Sequence, residues 1–232
     1  MSLLTIKGLE KRYGSKPALD GVDLEIGQGR IIGLLGPNAS GKTTLLKTIA
    51  GLLHPDRGEI VYPDNASGLA ARTTVSLLPD RMAFPKWMKV RDAFRYYEDM
   101  YPDYSGQKAG SMLELLELPG DALIRRMSKG MQERVALGLA FSRETSLYLL
   151  DEPLGGIDPV GKAKVLESIL SMPLEHSSIL LSTHLVKDVE TIFDDILLIS
   201  QGKIIYRGEC ETIREQERKT VEQVYLEVFS RA

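Results

Sequence analysis

The hydrophobic positions of the chain follow patterns that predict strands and helices in alternation. Apolar and polar residues alternate from Val22 to Ile26, which is typical of a half-buried strand. Unbroken apolar runs predict strands that are covered on both faces of a parallel sheet, and these runs lie at 31–35, 147–150, 179–181 and 196–199. Helix-favouring residues follow at 42–50 and at 162–172. The chain therefore predicts an α/β core.

A helical pattern runs from about residue 79 to residue 146, where apolar residues recur at helical spacing between charges. Prolines and a glycine divide this stretch, so we expect a helical subdomain at 79–146, inserted into a core formed by 1–78 and 147–208. The tail, 209–232, carries one apolar helical face that we expect to pack on its own domain, formed by Val221, Val224, Tyr225 and Val228. We also expect turns at 11–14 and 201–203.

Composition and charge exclude several classes of protein. With 29 Lys and Arg against 32 Asp and Glu, the net charge of −3 gives no electrostatic footprint for nucleic acid. The single cysteine, Cys210, cannot form an internal disulfide, which favours a reducing, cytoplasmic compartment. The first residues do not resemble a signal peptide, and no apolar run approaches the roughly 18 residues that a membrane span needs. We therefore expect any membrane role to require another chain.

The segment after the first buried run matches the phosphate-loop pattern G-x-x-x-x-G-K-[ST] at every fixed position. It comprises Gly36, Pro37, Asn38, Ala39, Ser40, Gly41, Lys42 and Thr43, and is followed by Thr44. Its glycines let backbone N–H groups converge on phosphate oxygens at the positive end of a helix. We expect Lys42 to reach the β- and γ-phosphates and Thr43 to bind Mg²⁺. The alternative is a glycine-rich turn before a helix, but the strand and helix around it favour nucleotide binding.

Two acids and a histidine follow buried strands further along the chain. Asp151 and Glu152 come where the second apolar run ends, at the edge of a parallel sheet where ligands bind. We expect Asp151 to hold Mg²⁺ and Glu152 to orient or deprotonate the attacking water. His184 follows the third run and is placed to contact a γ-phosphate. The alternatives are a polar turn for the two acids and a structural hydrogen bond for the histidine.

The order and spacing of these segments resemble the ATPase subunit of ATP-binding cassette (ABC) transporters, over essentially the whole chain. Met127–Gln132 is similar to the signature segment of that family, Gly155–Pro159 to its D-loop, and Tyr13 to the aromatic on which adenine stacks. The resemblance implies an α/β fold, a P-loop NTPase core of mainly parallel sheet. It also implies an N-terminal antiparallel β part and the inserted helical subdomain.

The chain departs from the family pattern in two places. The signature usually reads Leu-Ser-Gly-Gly-Gln, of which Ser128 and Gly130 remain, and both can donate to a γ-phosphate. Lys129 and Met131 replace a glycine and the glutamine, as in the subset resembling exporters of antibiotics, lipids and peptides. Where the Q-loop would place a glutamine, this chain has Asp80. We expect Asp80 still to sense the metal, although Pro-Asp is also a common turn dipeptide.

The resemblance also implies partners and a mechanism. Two chains would pack head to tail, with each ATP held between Lys42 of one and Ser128 of the other, and with Mg²⁺ as cofactor. The second chain would be a copy of this one or a homologous ATPase, on the inner face of the membrane beside a permease. Trp87 and Met88 are candidates for an apolar patch facing that permease; the alternative buries Trp87. Two rival functions remain, a regulatory subunit with weak hydrolysis and an ABC ATPase outside transport.

Overall fold

The fold is taken from a computed structural model, which describes residues 2–62 and 73–231. Of the predicted core, residues 1 and 63–72 lie outside the described residues, as does residue 232 of the tail. The strands are β1 (Ser2–Tyr13), β2 (Lys16–Gly27), β3 (Ile31–Leu35), β4 (Arg57–Val61), β5 (Val75–Leu78), β6 (Leu147–Asp151), β7 (Ser178–Thr183), β8 (Asp195–Ser200) and β9 (Lys203–Glu209). The α-helices are α1 (Lys42–Ile49), α2 (Val90–Met100), α3 (Gly106–Leu115), α4 (Lys129–Phe141), α5 (Pro159–Leu170), α6 (Val186–Val189), α7 (Cys210–Glu215) and α8 (Val221–Arg231).

The strands form two sheets. An antiparallel sheet has the order β2-β1-β4, and a six-stranded sheet has the order β5-β6-β7-β3-β8-β9. Within the second sheet the first five strands are parallel, and β9 pairs antiparallel with β8. Gln201 and Gly202 connect β8 to β9 with φ of 47° and 79°, the left-handed backbone that suits a tight hairpin. The predicted fold class and the predicted turn at 201–203 are confirmed.

The central strand β3 is buried on both faces, as its unbroken apolar sequence predicts. Ile32 and Leu34 pack towards the antiparallel sheet and α1, whereas Ile31 and Leu35 pack into the cluster that contains the inserted helices. Burying successive residues on opposite faces follows from the period of two along a strand. The phosphate loop thus starts from the rigid centre of the larger sheet.

The predicted turn at 11–14 is wrong in its extent. Strand β1 continues to Tyr13, which pairs with Lys16, and the chain reverses at Gly14, whose φ is 61°. Asp56 explains the longer strand, because its carboxylate accepts the Arg12 backbone N–H at 2.6 Å and lies 3.1 Å from the Lys11 Nζ. The sequence around residue 11 carries no sign of this distant partner.

Helices α2, α3 and α4 lie between β5 and β6 in the chain, and a buried arginine ties them to the sheet. Arg143 donates to both carboxylate oxygens of Asp103, at 3.0 and 2.8 Å, and to the Val75 carbonyl at 3.0 Å. Its guanidinium also lies 4.1 Å from the centre of the Tyr101 ring. The loop between α2 and α3 is thereby held to the edge of the six-stranded sheet.

Two apolar surfaces predicted from the sequence have different outcomes. Val221 and Val224 of α8 are buried in the main core cluster, so the apolar face of the tail packs on its own chain as expected. Trp87 is 68% exposed, but Met88 is only 7% exposed. Trp87 is therefore exposed as the predicted patch requires, whereas the prediction for Met88 is wrong, because Met88 packs into the core beside Ile124.

No helix within the described ranges combines the length and the apolar character that crossing a bilayer requires.

Candidate active site

The phosphate loop joins the end of β3 to the start of α1 and is shaped by tight backbone contacts. A Cβ at Gly36 would lie 2.3 Å from the Ile199 carbonyl, and one at Gly41 would lie 2.6 Å from the Ala18 carbonyl. Gly41 also has a φ of 115°, which side chains rarely allow. These glycines are therefore required for the loop to pass so close to its neighbours.

The N-terminal end of α1, which the phosphate loop enters, is suited to binding an anion. Within the described residues, no side chain caps this helix and no acidic residue occupies its first turn. The first N–H groups of a helix have no intrahelical acceptors and carry partial positive charge. In the described part of the chain, the buried Ser40 Oγ has no hydrogen-bond partner either. Unused donors beside a cradle without Cβ atoms fit the phosphates of a nucleotide.

Lys42 is folded back into this loop. Its side chain is only 6% exposed, and its Nζ donates to the Gly36 and Pro37 carbonyls at 2.8 and 3.2 Å. The Nζ also lies 3.5 Å from the Glu152 Oε1. Burial lowers the pKa of Lys42, and the neighbouring Glu152 and Asp151 carboxylates oppose this change. The ammonium is thus held next to the position where phosphates would enter.

Asp151 is the last residue of β6, and its carboxylate is buried at the edge of the sheet. The Ser182 Oγ donates to Asp151 Oδ1 at 2.6 Å, and Ser182 is its register partner on β7. Sequence analysis missed this serine as a site residue. Its position directly after the apolar run 179–181, two residues before His184, is the signal that could have found it.

Glu152 and His184 come together where β6 and β7 end. Glu152 Oε1 lies 3.0 Å from His184 Nδ1, and the His184 backbone N–H donates to Oε2 at 3.4 Å. Glu152 has a φ of 52°, which is uncommon outside glycine and occurs at functional sites. Together with the Lys42 contact, this places one carboxylate between a cation and a histidine.

Two cavities meet at these side chains. One, of about 420 Å³, is lined by the phosphate loop from Asn38 to Thr44, by Tyr13, and by Glu152 and His184. The other, of about 430 Å³, lies between Asp151, Glu152 and the start of α4, where Lys129 and Glu133 line it. Asp80 borders both cavities, and its side chain is 58% exposed. The structure thus brings Tyr13, Asp80, the phosphate loop and the acids to one place.

Ser128 and Gly130 occupy a separate position. Ser128 is the N-cap of α4, and its exposed Oγ accepts the Met131 backbone N–H at 3.2 Å. Among the described residues, neither Ser128 nor Gly130 lines the cavity at the phosphate loop. Since the Oγ is an acceptor in the cap, its hydroxyl proton is free to be donated to another group.

The oxygen ligands available at the site suit Mg²⁺ bound together with a nucleotide. In the described ranges there is no cluster of three or more His, Cys, Asp or Glu side chains able to hold a metal. Thr43 and Asp151 supply a hydroxyl and a carboxylate near the loop. Mg²⁺ is commonly held by one or two carboxylates plus substrate phosphates, so this limited set fits.

Comparisons with known proteins identify relatives of the chain. Residues 19–155 match the family described as ABC transporter. The chain is 31% identical to the daunorubicin resistance ATP-binding protein DrrA3 of Streptomyces coeruleorubidus, over 92% of this chain and 70% of that protein. It is 32% identical to the Nod factor export ATP-binding protein I of Burkholderia orbicola (strain AU 1054), over 92% and 73%. A solved structure of an ATP binding subunit of an ABC transporter, 27% identical, has a TM-score of 0.86 and covers 98% of this chain and 99% of its own.

Proposed function

The chain belongs to the ABC transporter family as an ATP-binding, ATP-hydrolysing subunit, and we propose that it powers export through a separate membrane-spanning permease. The observation that carries the proposed site is the meeting of Lys42, Glu152 and His184 at the carboxyl edge of the parallel sheet. Export is supported by the drug-resistance and Nod factor export relatives.

Glu152 is the general base in this proposal. Its carboxylate lines the loop cavity, and His184 holds it in place. A water between this carboxylate and the γ-phosphate would give up its proton to Glu152 as it attacks phosphorus. As the Lys42 ammonium moves to the β- and γ-phosphates, it neutralises charge there and releases Glu152 for this task.

Thr43 and Asp151 would hold Mg²⁺ in this proposal, with Ser182 keeping the Asp151 carboxylate oriented. The ion would neutralise phosphate charge and orient the triphosphate. Asp80, on the border of both cavities, would contact the metal through water. Tyr13, whose side chain is exposed on the loop cavity, would stack on adenine.

The test of the base is the change Glu152→Gln. This protein should bind ATP and lose most turnover, and at high concentration it should form a stable ATP-bound dimer. Glu59→Gln, in an exposed ion pair on the antiparallel sheet, serves as the control and should leave turnover unchanged. Wild-type turnover in Glu152→Gln would remove the assigned role.

Asp80 is tested by its removal. Asp80→Ala should lower ATP turnover and leave nucleotide affinity unchanged, because Asp80 does not belong to the phosphate loop. If turnover is unchanged, Asp80 is part of the scaffold only. Very weak turnover of the wild-type chain would instead favour a regulatory subunit, a reading prompted by Asp80 and by the altered signature.

We propose a head-to-tail dimer, of two copies or of this chain with a homologous ATPase, in which each ATP binds the phosphate loop of one chain and Ser128 with Gly130 of the other. Supporting this, Ser128 lies outside the loop cavity of its own chain and has a free hydroxyl proton. A dimer predicts that specific turnover rises steeply with protein concentration. Turnover per chain that is independent of concentration would contradict it.

The permease would be contacted by the helical subdomain, 79–146, on the inner face of the membrane. Trp87 supports this placement, because a tryptophan that is 68% exposed is suited to a protein contact. Trp87→Ser should weaken stimulation of ATPase activity by the co-reconstituted permease, with basal turnover unchanged. Equal stimulation of both proteins would place the contact elsewhere.

A further inference from the structure

Lys129 links two parts of the molecule that the proposed mechanism assigns to different ATP molecules. It is the first residue of α4, directly after Ser128. Its Nζ donates to the Gly155 carbonyl at 3.1 Å, and it also lies 3.5 Å from the Glu133 carboxylate one turn later on the same helix. The ammonium therefore joins the start of α4 to the loop that follows Glu152.

That loop is packed closely against the same lysine. The Gly155 N–H donates to the Glu152 carbonyl at 3.0 Å. Gly155, whose carbonyl accepts the hydrogen bond from Lys129, therefore lies in the turn that directly follows Glu152. Gly156 has a φ of 73°, and a Cβ there would come within 2.7 Å of the Lys129 Nζ. Any larger residue at 156 would therefore push the ammonium away.

The next residue of α4 continues the contact. A Cβ at Gly130 would lie 3.3 Å from the Ile157 Cγ2, so the helix and the loop touch directly there. Ile157 is 6% exposed and belongs to the core. Two successive residues of α4 thus contact the loop, one by a charged hydrogen bond and one by close packing. A glycine at position 129 would lack the first of these contacts.

We propose that Lys129 is a positioning residue that holds the loop 152–158 to the start of α4, and so links Glu152 to Ser128 of the same chain. The inference rests on the proposed function, in which Glu152 acts on the chain's own ATP and Ser128 contacts the partner's ATP. The Glu133 carboxylate, 3.5 Å from the same ammonium, helps to keep it over the loop while it donates to the Gly155 carbonyl. When the partner's ATP draws Ser128 in as the dimer closes, the lysine bond transmits this movement to the loop and so to Glu152, the proposed base.

The test compares Lys129→Met, Lys129→Arg and the control Lys7→Met. Methionine keeps the length of the side chain but cannot donate, and arginine can donate to the same carbonyl. Lys7 is a matched control, because both lysine side chains are 66% exposed and both form an ion pair with a glutamate. The measurements are kcat and KM for ATP, and hydrogen exchange of the amides of 152–158 in the nucleotide-free protein.

Lys129→Met should lower kcat about threefold to tenfold, with KM changed less than about twofold, because only the positioning of the base is lost. The amides of 152–158 should exchange faster. Lys129→Arg should restore most of both properties, and Lys7→Met should match the wild type. The result that supports the inference is this combination of slower turnover, faster exchange and rescue by arginine.

Two results would overturn it. A raised KM with unchanged exchange would mean that Lys129 contacts the partner's nucleotide directly. Unchanged kcat and exchange would mean that the bond has no role. Failure of the proposed function is distinguishable, since it would appear as turnover that survives Glu152→Gln, whereas exchange in the nucleotide-free protein tests the lysine bond without any hydrolysis.

Discussion

The ion pair between Lys42 and Glu152 should oppose ATP binding, because Lys42 cannot reach a phosphate and stay bound to Glu152. In the structure the two charged atoms are 3.5 Å apart, and their side chains are only 6% and 14% exposed. The change Glu152→Gln removes this competing partner. We therefore expect Glu152→Gln to bind ATP more tightly than the wild type, in addition to losing turnover.

The size of the effect follows from the geometry. Two unit charges at this separation attract each other by about 5 kcal/mol at an effective dielectric constant of 20. Most of this is offset, because Lys42 keeps two carbonyl acceptors and Glu152 keeps His184. A net coupling of about 1–2 kcal/mol remains, which corresponds to an affinity change of about 5-fold to 30-fold.

The assay is a double-mutant cycle of wild type, Glu152→Gln, Lys42→Met and the double variant. The dissociation constant of a non-hydrolysable ATP analogue is measured at protein concentrations that keep the chain monomeric. Repulsion between Glu152 and phosphate is present both with Lys42 and with Lys42→Met. Only the difference between the effects of Glu152→Gln in these two backgrounds therefore reports the ion pair. Glu152→Gln should tighten binding of the analogue by a much larger factor when Lys42 is present than in the Lys42→Met protein. If Glu152→Gln tightens binding by the same factor with and without Lys42, the reasoning is refuted.

Three further predictions concern the scaffold. Asp103→Ala should lower the free energy of unfolding in urea by about 2–4 kcal/mol, because the buried Arg143 loses both carboxylate hydrogen bonds; unchanged stability would contradict this. Gly33→Ala should lower it by about 1–3 kcal/mol, since the new Cβ would lie 2.7 Å from the Phe193 ring, and a smaller residue at 193 should restore part of the loss. Burial raises the pKa of the Cys210 thiol to about 12. At pH 9 a thiol reagent should therefore label Cys210 in the native protein at least ~100-fold more slowly than in the urea-unfolded chain. The labelling rate of the native protein should rise as the pH approaches 12. Equal labelling rates for the native and unfolded chains at pH 9 would show that the thiolate is accessible.

Much of the site could be predicted from the sequence, because its residues lie in short segments with fixed spacing. The glycines, Lys42 and Thr43 of the phosphate loop share one continuous segment between a strand and a helix. Asp151 ends an apolar run, and such runs are readable without knowledge of their neighbours. The identities of the candidate chemical groups were therefore available before the fold was known.

Other features depended on partners that are distant in the chain. The length of β1 reflects Asp56, which lies beyond two further strands and a helix. The orientation of Asp151 depends on Ser182 of β7, and the loop after Glu152 is held by Lys129 of α4. The position of Ser182 after an apolar run is visible in the sequence, but no local pattern pairs it with Asp151, and the other two pairs carry no local signal either, so sequence reasoning missed all three.

The sequence by itself determined the buried parallel strands of the core, the helices beside them and the side chains that can do chemistry, since hydrophobic period and loop composition act over a few neighbouring residues. The tertiary structure decided which of those side chains meet. Pairing of β6 with β7 and of β7 with β3 brought Glu152 beside His184 and Lys42, and it left Ser128 outside that cavity. Contacts of this kind depend on the order of strands in the sheet, which only the packing of the whole core selects.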